Sequence, residues 1–398
     1  MNCSKRILAF FLVLTLVVQV LPLSVFAEAS NSVRATEQEI VSEETPGAEE
    51  ETPAEETSML QIANNLEEAS EEAAAVPDDL NSDSSDETVS GNCGEDLSWE
   101  FSPKSGTLTI IGSGKMSNYD NGNQKSPWSA YASQIQSVEF PEGLTGIGNY
   151  AFAGCSALSE IQLPEHLESI GDYAFSECTG ASGSLEIPSS VTSIGSHAFQ
   201  KCSGLNGSLT LHEGLKTIST YAFYNCNKLT GDLVIPNSVT SMGTYAFSGC
   251  SGMNGTLTLP DSLSAIASSA FSGCSNLTGE LRIPDSVTTI NSSAFYNCSG
   301  FTSIVFGENF KDQFSKNAFY NCTGVEKITF ARLTPAGIST SGDASYYNPF
   351  YHMSKLKTIY VPAEAYSAYV TAYKSYVPAK TRFKVTGASS DFQIDEGV

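Results

Sequence analysis

Cysteine is the residue whose spacing in this sequence could support chemistry. Eight cysteines each follow a phenylalanine by three residues, and successive members lie 24 residues apart after a first interval of 23. They are Cys155, Cys178, Cys202, Cys226, Cys250, Cys274, Cys298 and Cys322. Thiols in such a series could bind metal ions, form disulfides, or pack as small apolar side chains.

The surroundings of these cysteines favour packing over the other two uses. No Cys-x-x-Cys pair or accompanying histidine supplies four ligands at one level, so a metal ladder is the weakest interpretation. Disulfides between repeats are conceivable, because stacked strands bring equivalent Cα atoms to roughly 5 Å. Side chains in one column point the same way, however, and free buried thiols are therefore favoured. With Cys93, nine cysteines follow residue 27, so at least one must stay unpaired within a monomer.

No other residues form a constellation suited to catalysis. The histidines occupy different positions in the repeat and lack a serine, aspartate or cysteine partner at a fixed offset: His166, His197, His212 and His352. Catalysis by histidine needs a second group within hydrogen-bond reach. Acidic residues are scattered, and no glycine-rich loop precedes a helix to cradle phosphate. The sequence therefore predicts no enzyme activity, no cofactor and no metal site.

The dipeptide Ala-Phe marks a repeat that dominates the chain from residue 138 onward. Its phenylalanines are Phe152, Phe175, Phe199, Phe223, Phe247, Phe271, Phe295 and Phe319. A ninth, degenerate copy places Met353 at the cysteine position. Self-similarity at a fixed period of this length is typical of a solenoid, in which the phenylalanine and cysteine columns form the structural core.

One repeat, residues 279–302, indicates what each unit builds. Leu281 and Ile283 alternate with polar residues, which is the period of a strand with one buried face. Pro284 then ends the strand, because proline cannot donate a ladder hydrogen bond. Ala-Phe-x-x-Cys has helical spacing, so the remainder is expected to be a turn and a short helical or 3₁₀ piece. A single unit cannot offset the entropy of ordering its residues, so the units must stack with their strands in parallel.

Both ends of the stack need covering, because terminal repeats otherwise expose apolar side chains. Residues 91–137 are expected to form the first cap, a β-hairpin with Trp128 as an apolar lid. Residues 363–385 are expected to form the second. Their tyrosines recur at helical intervals: Tyr366, Tyr369, Tyr373 and Tyr376. That aromatic stripe could be a ligand platform, but a capping helix is favoured.

The first 90 residues differ in composition from the repeats. Lys5 and Arg6 precede a long apolar run, and residues 1–27 end on alanine, which is the pattern of a secretory signal peptide. Residues 28–90 hold nineteen acidic side chains against one basic one and are expected to be a disordered acidic linker. The sequence thus predicts a secreted or cell-surface protein.

The charge balance limits the class of partner. The full chain carries a net charge of −24, of which −8 belongs to residues 91–398. Nucleic acid is not expected as a partner, because binding phosphates needs clustered lysine and arginine and the sequence shows no evident basic stripe. Once the signal peptide is removed, we expect no stable membrane insertion and a monomer.

Two columns of side chains are candidate binding surfaces. Outward strand positions form the first, with Glu186, Thr210, Val234, Thr258, Arg282 and Tyr360 as candidate contact residues. The second column stands just before the Ala-Phe pairs and contains Tyr150, Tyr173, Tyr221 and Tyr245. Rings in a row could anchor a partner, and partial packing between repeats explains them equally well.

The repeat unit Leu-x-Ile-Pro-x-Ser-Val-Thr-x-Ile-Gly-x-x-Ala-Phe-x-x-Cys resembles the Treponema-type, BspA-like leucine-rich repeats of bacterial surface proteins. The resemblance covers residues 138–362. It implies a leucine-rich repeat solenoid with short parallel β-strands on one face, turns and short helical or 3₁₀ pieces on the other, and the two caps described above.

The same resemblance implies a function. Proteins of this kind are expected to be non-enzymatic and to mediate adhesion or protein–protein interaction with host matrix or cell partners, through protein or glycoprotein ligands. A carbohydrate-binding or cell-wall-binding module is the alternative. A repeat spacer of a longer protein is another, because the tail at residues 386–398 is similar to the opening of a further module in longer relatives.

Overall fold

The computed structural model describes residues 87–310, 313–338 and 348–386. All of them belong to one compact unit, Ser82–Val398. The predicted signal peptide, the acidic segment up to residue 86 and the tail from residue 387 lie outside the described residues.

Short strands make up most of the regular structure. In chain order the strands of the described residues are β1 (Val89–Asn92), β2 (Leu97–Ser102), β3 (Thr107–Gly112), β4 (Gly114–Lys115), β5 (Ser137–Glu139), β6 (Leu144–Ile147), β7 (Ser169–Ile170), β8 (Leu185–Glu186), β9 (Ser193–Ile194), β10 (Leu209–Thr210), β11 (Thr217–Ile218), β12 (Leu233–Val234), β13 (Ser241–Met242), β14 (Leu257–Thr258), β15 (Ala265–Ile266), β16 (Gly279–Ile283), β17 (Thr289–Ile290), β18 (Phe301–Phe306), β19 (Lys327–Phe330), β20 (Thr358–Val361) and β21 (Arg382–Val385).

All of these strands except β1, β2 and β3 stack into two parallel rows. The first row contains β5, β8, β10, β12, β14, β16 and β18 to β21, and the second contains β4, β6, β7, β9, β11, β13, β15 and β17. In the first row Leu209 lies opposite Leu185, and in the second Ile218 lies opposite Ile194, so the repeats are in register. The result is a parallel β-solenoid of about ten turns, and the predicted fold is confirmed.

The second row is the main difference from the sequence analysis, which assigned this part of the repeat to a turn. Its strands are mostly two residues long, with an outward small or polar residue and an inward isoleucine or methionine. Such strands are too short to show an alternating pattern. The spacing of three between Val287 and Ile290 does not mark a helix. Val287 closes a turn, in which its N–H donates to the Pro284 carbonyl at 3.1 Å, and Ile290 belongs to β17.

The Ala-Phe-x-x-Cys segment is a run of turns whose hydrogen bonds alternate between two directions. The N–H of Cys155 donates to the carbonyl of Phe152, three residues earlier, at 3.1 Å. The N–H of Phe152 donates instead to the carbonyl of Ala174 in the next coil, at 2.7 Å. A bond between residues three apart closes a single turn, so the turns expected in this part of the repeat are confirmed.

The core is a column of phenylalanines that runs through the stack. Neighbouring rings lie 5.1 to 5.8 Å apart between centroids, with planes within 15° of parallel. Burial of each ring contributes about 1.5 to 3 kcal/mol. Because each ring is covered mainly by the rings above and below it, the stability of one coil depends on its neighbours.

At the amino-terminal end β2 and β3 form the predicted β-hairpin, with Phe101 opposite Leu108. Trp128 precedes a short 3₁₀ helix, Ser129–Tyr131, and is fully buried. Its Nε1–H donates to the Ala151 carbonyl at 2.7 Å, and its ring stacks on Phe152 at 5.5 Å. The tryptophan thus covers the first ring of the phenylalanine column.

At the carboxy-terminal end the 3₁₀ helix Ala363–Ala365 leads into helix α1, Tyr366–Tyr373. Tyr369 and Tyr373 are buried, and their hydroxyls donate to the carbonyls of Arg332 at 3.1 Å and of Ala336 at 2.8 Å. These two rings therefore pack rather than offer a ligand platform. Strand β21 follows the helix and extends the first row by one more strand beside β20.

Candidate functional site

The outward positions of the first row lie on the surface. Glu186, Thr210, Val234, Thr258 and Arg282 are exposed. Val234 is the most apolar of them, and half of its surface is accessible. The residues before and after each position are leucine or isoleucine, all of them buried except the partly buried Leu211, which fixes the direction of the outward side chain.

Few contacts join the exposed members of this row. The Glu186 carboxylate lies 3.1 Å from Nε2 of His212, on the next coil. The Arg282 side chain shares the outer face of β16 with the exposed Glu280. The row is flat and chemically mixed, so it can contact a broad partner surface but encloses no small ligand.

The tyrosine column forms a continuous stack. Tyr150 and Tyr173 lie 4.5 Å apart between ring centroids, and Tyr221 and Tyr245 lie 4.7 Å apart. His197 completes the stack between Tyr173 and Tyr221, at 4.3 and 4.6 Å. The ring faces cover each other, so an incoming ring could reach little more than their edges.

The backbone of this column is unusual, because its residues have left-handed φ angles, +56° at Tyr150 and +57° at Tyr221. Non-glycine residues rarely adopt this conformation. Partial burial in the stack also raises the pKa of the Tyr150 and Tyr221 hydroxyls. The face-to-face stacking and partial burial of the rings favour the packing interpretation of the column over the binding one.

The cysteine column is buried and its thiols are hydrogen-bonded. Each Sγ from Cys178 to Cys322 donates to the carbonyl of the phenylalanine in the preceding coil, at 3.0 to 3.2 Å. Burial raises the pKa of the Cys274 and Cys322 thiols to about 12. A thiol that stays protonated and inaccessible is neither a nucleophile nor a metal ligand at neutral pH.

An open groove of about 370 Å³ runs along the second row, over small residues such as Gly146, Ser169 and Ser193. Its polar edge is already used between coils. Oδ1 of Asn149 accepts from the N–H of Asp172 at 2.8 Å, and Oδ1 of Asp172 accepts from the N–H of Ser196 at 2.6 Å. We therefore attribute the groove to coil stacking rather than to a ligand.

Charge is distributed unevenly along the repeats, and this unevenness is not apparent from the net charge of the whole chain. Residues 91–312 contain eight basic and nineteen acidic side chains, whereas residues 313–386 contain nine basic and three acidic ones. Counting the charges repeat by repeat would have found this change of sign. The carboxy-terminal coils are basic on a protein that is acidic as a whole.

In the described part of the chain, no cluster of three or more histidine, cysteine, aspartate or glutamate side chains is arranged to hold a metal ion. No helix among those residues has the length and apolar composition required to cross a bilayer.

The stacked parallel strands, the phenylalanine column and the inward leucines define a leucine-rich repeat protein. The BspA-type leucine-rich repeat model matches residues 129–254 and 254–377, with six copies. The chain belongs to this family, and the resemblance seen in the repeat unit is confirmed. Proteins of this fold are repeat proteins that generally bind other proteins and are generally non-enzymatic.

Several solved structures show a low similarity to the chain. A leucine-rich repeat protein from Eubacterium ventriosum is 18% identical, with a TM-score of 0.35, over 77% of this chain and 98% of that one. A leucine-rich cell surface protein from Faecalibacterium prausnitzii is 20% identical, with a TM-score of 0.35, over 76% and 96%. The pneumococcal vaccine antigen PcpA is 16% identical, with a TM-score of 0.37, over 76% and 99%. No curated protein matches the chain.

Proposed function

We propose that this protein is a non-enzymatic, secreted or surface-held adhesion protein that binds protein or glycoprotein partners through the first strand row. The observation that carries the proposal is the row itself. Its outward side chains are exposed on coils whose inward side chains are fully buried. A surface that is ordered before binding loses little conformational entropy when a partner arrives.

The described residues support binding better than catalysis. The buried thiols have raised pKa values, and His197 and His212 contact Gln200 and Glu186 rather than a nucleophile. The alternative of a module that stacks neutral sugars on aromatic platforms gains little from the tyrosine column, because its ring faces are already stacked on one another.

The proposal is tested by binding of the chain without its predicted signal peptide, residues 28–398, to immobilised collagen, laminin and fibronectin. We expect a saturable interaction with at least one of them. The double variant Thr210→Arg with Thr258→Arg should weaken it about tenfold or more, because it places unmatched charge and bulk in the interface.

The matched control is Thr192→Arg with Thr240→Arg. It changes the same residue types at exposed positions beside the second row, and it should bind as the unmodified chain does. Equal loss in both double variants, or full binding in both, would remove the first row as the contact surface.

A further inference from the structure

The basic end of the solenoid contains a feature that the adhesion proposal does not specify. On the outer face of the sheet formed by β19, β20 and β21, Lys327, Arg382 and Lys384 are exposed and Tyr360 is half-buried. We infer that this basic face, defined by these four residues, binds a sulfated or carboxylated polysaccharide. The inference rests on the proposed function of the first row as the binding surface and names its partner at this end.

The strand register places these side chains together. Tyr360 lies opposite Thr329 on one side and opposite Lys384 on the other. Lys327 and Arg382 both align with Thr358, so they are two strands apart, roughly 10 Å. Arg382 and Lys384 are two residues apart on one strand and point to the same side, about 7 Å from each other. Three cations thus surround one aromatic ring on a flat surface.

The charges of this face are available to a ligand. Among the described residues, none of Lys327, Arg382 and Lys384 is in an ion pair with a carboxylate. The nearby Glu326 is neutralised by a different residue, since its carboxylate lies 2.8 Å from Nζ of Lys357. That contact holds the pKa of Glu326 below its usual value, so its charge is already compensated.

The acidic remainder of the repeats does not cancel this field. Charges separated by more than a Debye length, about 8 Å at physiological salt, are largely screened from each other. Adjacent parallel strands are about 4.8 Å apart, so the acidic coils before β16 lie several Debye lengths from β21 along the stack. An anionic ligand at β19 to β21 therefore responds mainly to the local positive charge.

The shape of the face favours an extended polysaccharide over other polyanions. It has no enclosing walls, so a chain with repeated sulfates or carboxylates gains several contacts where a small anion gains one. The half-exposed ring of Tyr360 can pack against a sugar ring, which the outer surface of a DNA duplex does not offer. A membrane is less favoured, because Leu333 is the only large apolar residue strongly exposed in the neighbouring described turns.

The test measures binding of residues 28–398 to heparin, hyaluronan, neutral dextran, a short DNA duplex and anionic phosphatidylserine vesicles. We expect binding to heparin or hyaluronan at physiological salt, a decline in affinity as salt rises, and no binding to dextran. The double variant Arg382→Gln with Lys384→Gln should bind at least about tenfold more weakly and show a smaller salt dependence. Tyr360→Ala should weaken binding without changing the salt dependence.

The matched control is Lys125→Gln with Lys228→Gln, which removes the same charge at exposed positions in earlier parts of the chain. It should bind as the unmodified chain does, and circular dichroism should show all variants folded. Equal affinity for the DNA duplex or the vesicles, no binding to either polysaccharide, or equal effects of the two double variants would overturn the inference. If the Arg382→Gln, Lys384→Gln variant binds heparin as the unmodified chain does and also keeps its binding to matrix proteins, this inference falls while the adhesion proposal stands.

Discussion

At the scale of single residues, the cysteine column combines two properties that few side chains share. Each thiol from Cys178 to Cys322 is small and apolar enough to be fully buried, yet it donates a hydrogen bond to a carbonyl of the preceding coil, as Cys226 does to Phe199 at 3.0 Å. Alanine would leave that carbonyl without the bond, and serine would bring a more polar group into the core. The regular spacing of the cysteines, which could have indicated chemistry, therefore reflects packing between coils.

The raised thiol pKa values make stability depend on alkaline pH. The pKa of Cys155, Cys274 and Cys322 rises from 9.0 to about 12 on folding, because burial disfavours the thiolate. Below pH 9 both states are protonated and this contribution is fully present. Between pH 9 and 12 the unfolded chain releases these protons and the folded chain does not. We expect the free energy of unfolding to fall there by roughly 1.4 kcal/mol per pH unit for each thiol.

Urea unfolding at pH 8, 9, 10 and 10.5 measures this slope. The Cys274→Ala variant should be less stable at pH 8 but lose stability with pH less steeply, by about the share of one thiol. Unfolding free energies that stay level from pH 8 to 10.5 would contradict the buried, protonated state of the column.

At the scale of the secondary-structure elements, the first strand row and the hairpin followed from the sequence and the second row did not. Leu281 and Ile283 alternate over enough residues to indicate a strand, whereas β17 is only Thr289 and Ile290. This two-residue strand exists because the preceding coil, at β15, supplies its hydrogen-bond partners, which is tertiary information. The left-handed φ at Tyr221 was likewise not predictable, because a tyrosine in the sequence does not indicate that conformation.

The candidate binding residues were predictable to a similar extent. Alternation placed Thr210 and Thr258 on the outward side of their strands, where the structure has them. The stacking of Tyr150 on Tyr173 depends on the distance between coils, so the sequence left binding and packing equally open. The basic face was missed because Arg382 and Lys384 lie far along the chain from Lys327 and meet only in the sheet.

Glycine is required for different reasons at two positions, a left-handed backbone at Gly273 and a close approach between coils at Gly243. Gly273 has a left-handed φ of +75°, but a Cβ there would meet nothing closer than 3.6 Å. Gly243 has the opposite constraint, since a Cβ would lie 2.3 Å from the backbone nitrogen of Thr220 in the preceding coil. We expect Gly273→Ala to lower stability by about 1 kcal/mol and Gly243→Ala by roughly 3 kcal/mol or more.

Chemical denaturation of the two variants tests this difference. The same cost at both positions would mean that the coils do not approach each other as closely at Gly243 as the structure shows. A smaller loss for Gly243→Ala than for Gly273→Ala would contradict the register of the second row.

At the scale of the whole solenoid, we expect that destabilising one coil also destabilises its neighbours, and that this effect decreases with distance along the stack. The Phe247 ring stacks on Phe223 at 5.2 Å and on Phe271 at 5.8 Å. We expect Phe247→Ala to destabilise its region by about 3 to 5 kcal/mol and to speed amide exchange in the two adjacent coils. Exchange in β20 and β21 should change little, because no ring of their coils touches Phe247.

Hydrogen exchange followed by mass spectrometry resolves this pattern. The control is Val234→Ala, which removes an exposed side chain from the same region. Uniformly faster exchange along the whole chain in Phe247→Ala would indicate one globally cooperative unit rather than coupling between neighbours.

The binding proposals also belong to this scale, because they depend on the arrangement of whole coils. The first row can act as a contact surface only where the stacked core keeps its outward side chains in register. The change of sign in charge along the stack means that different segments of one surface suit different partners.

The most direct test of the stacked register is alkylation of the folded Thr258→Cys variant with iodoacetamide, read by peptide mass spectrometry. Position 258 faces outward on the first row, and the cysteines from Cys155 to Cys322 are buried. We predict rapid labelling at position 258 and none at the buried column until the chain is unfolded. Labelling of the column at a similar rate, or protection of position 258, would contradict the solenoid described above.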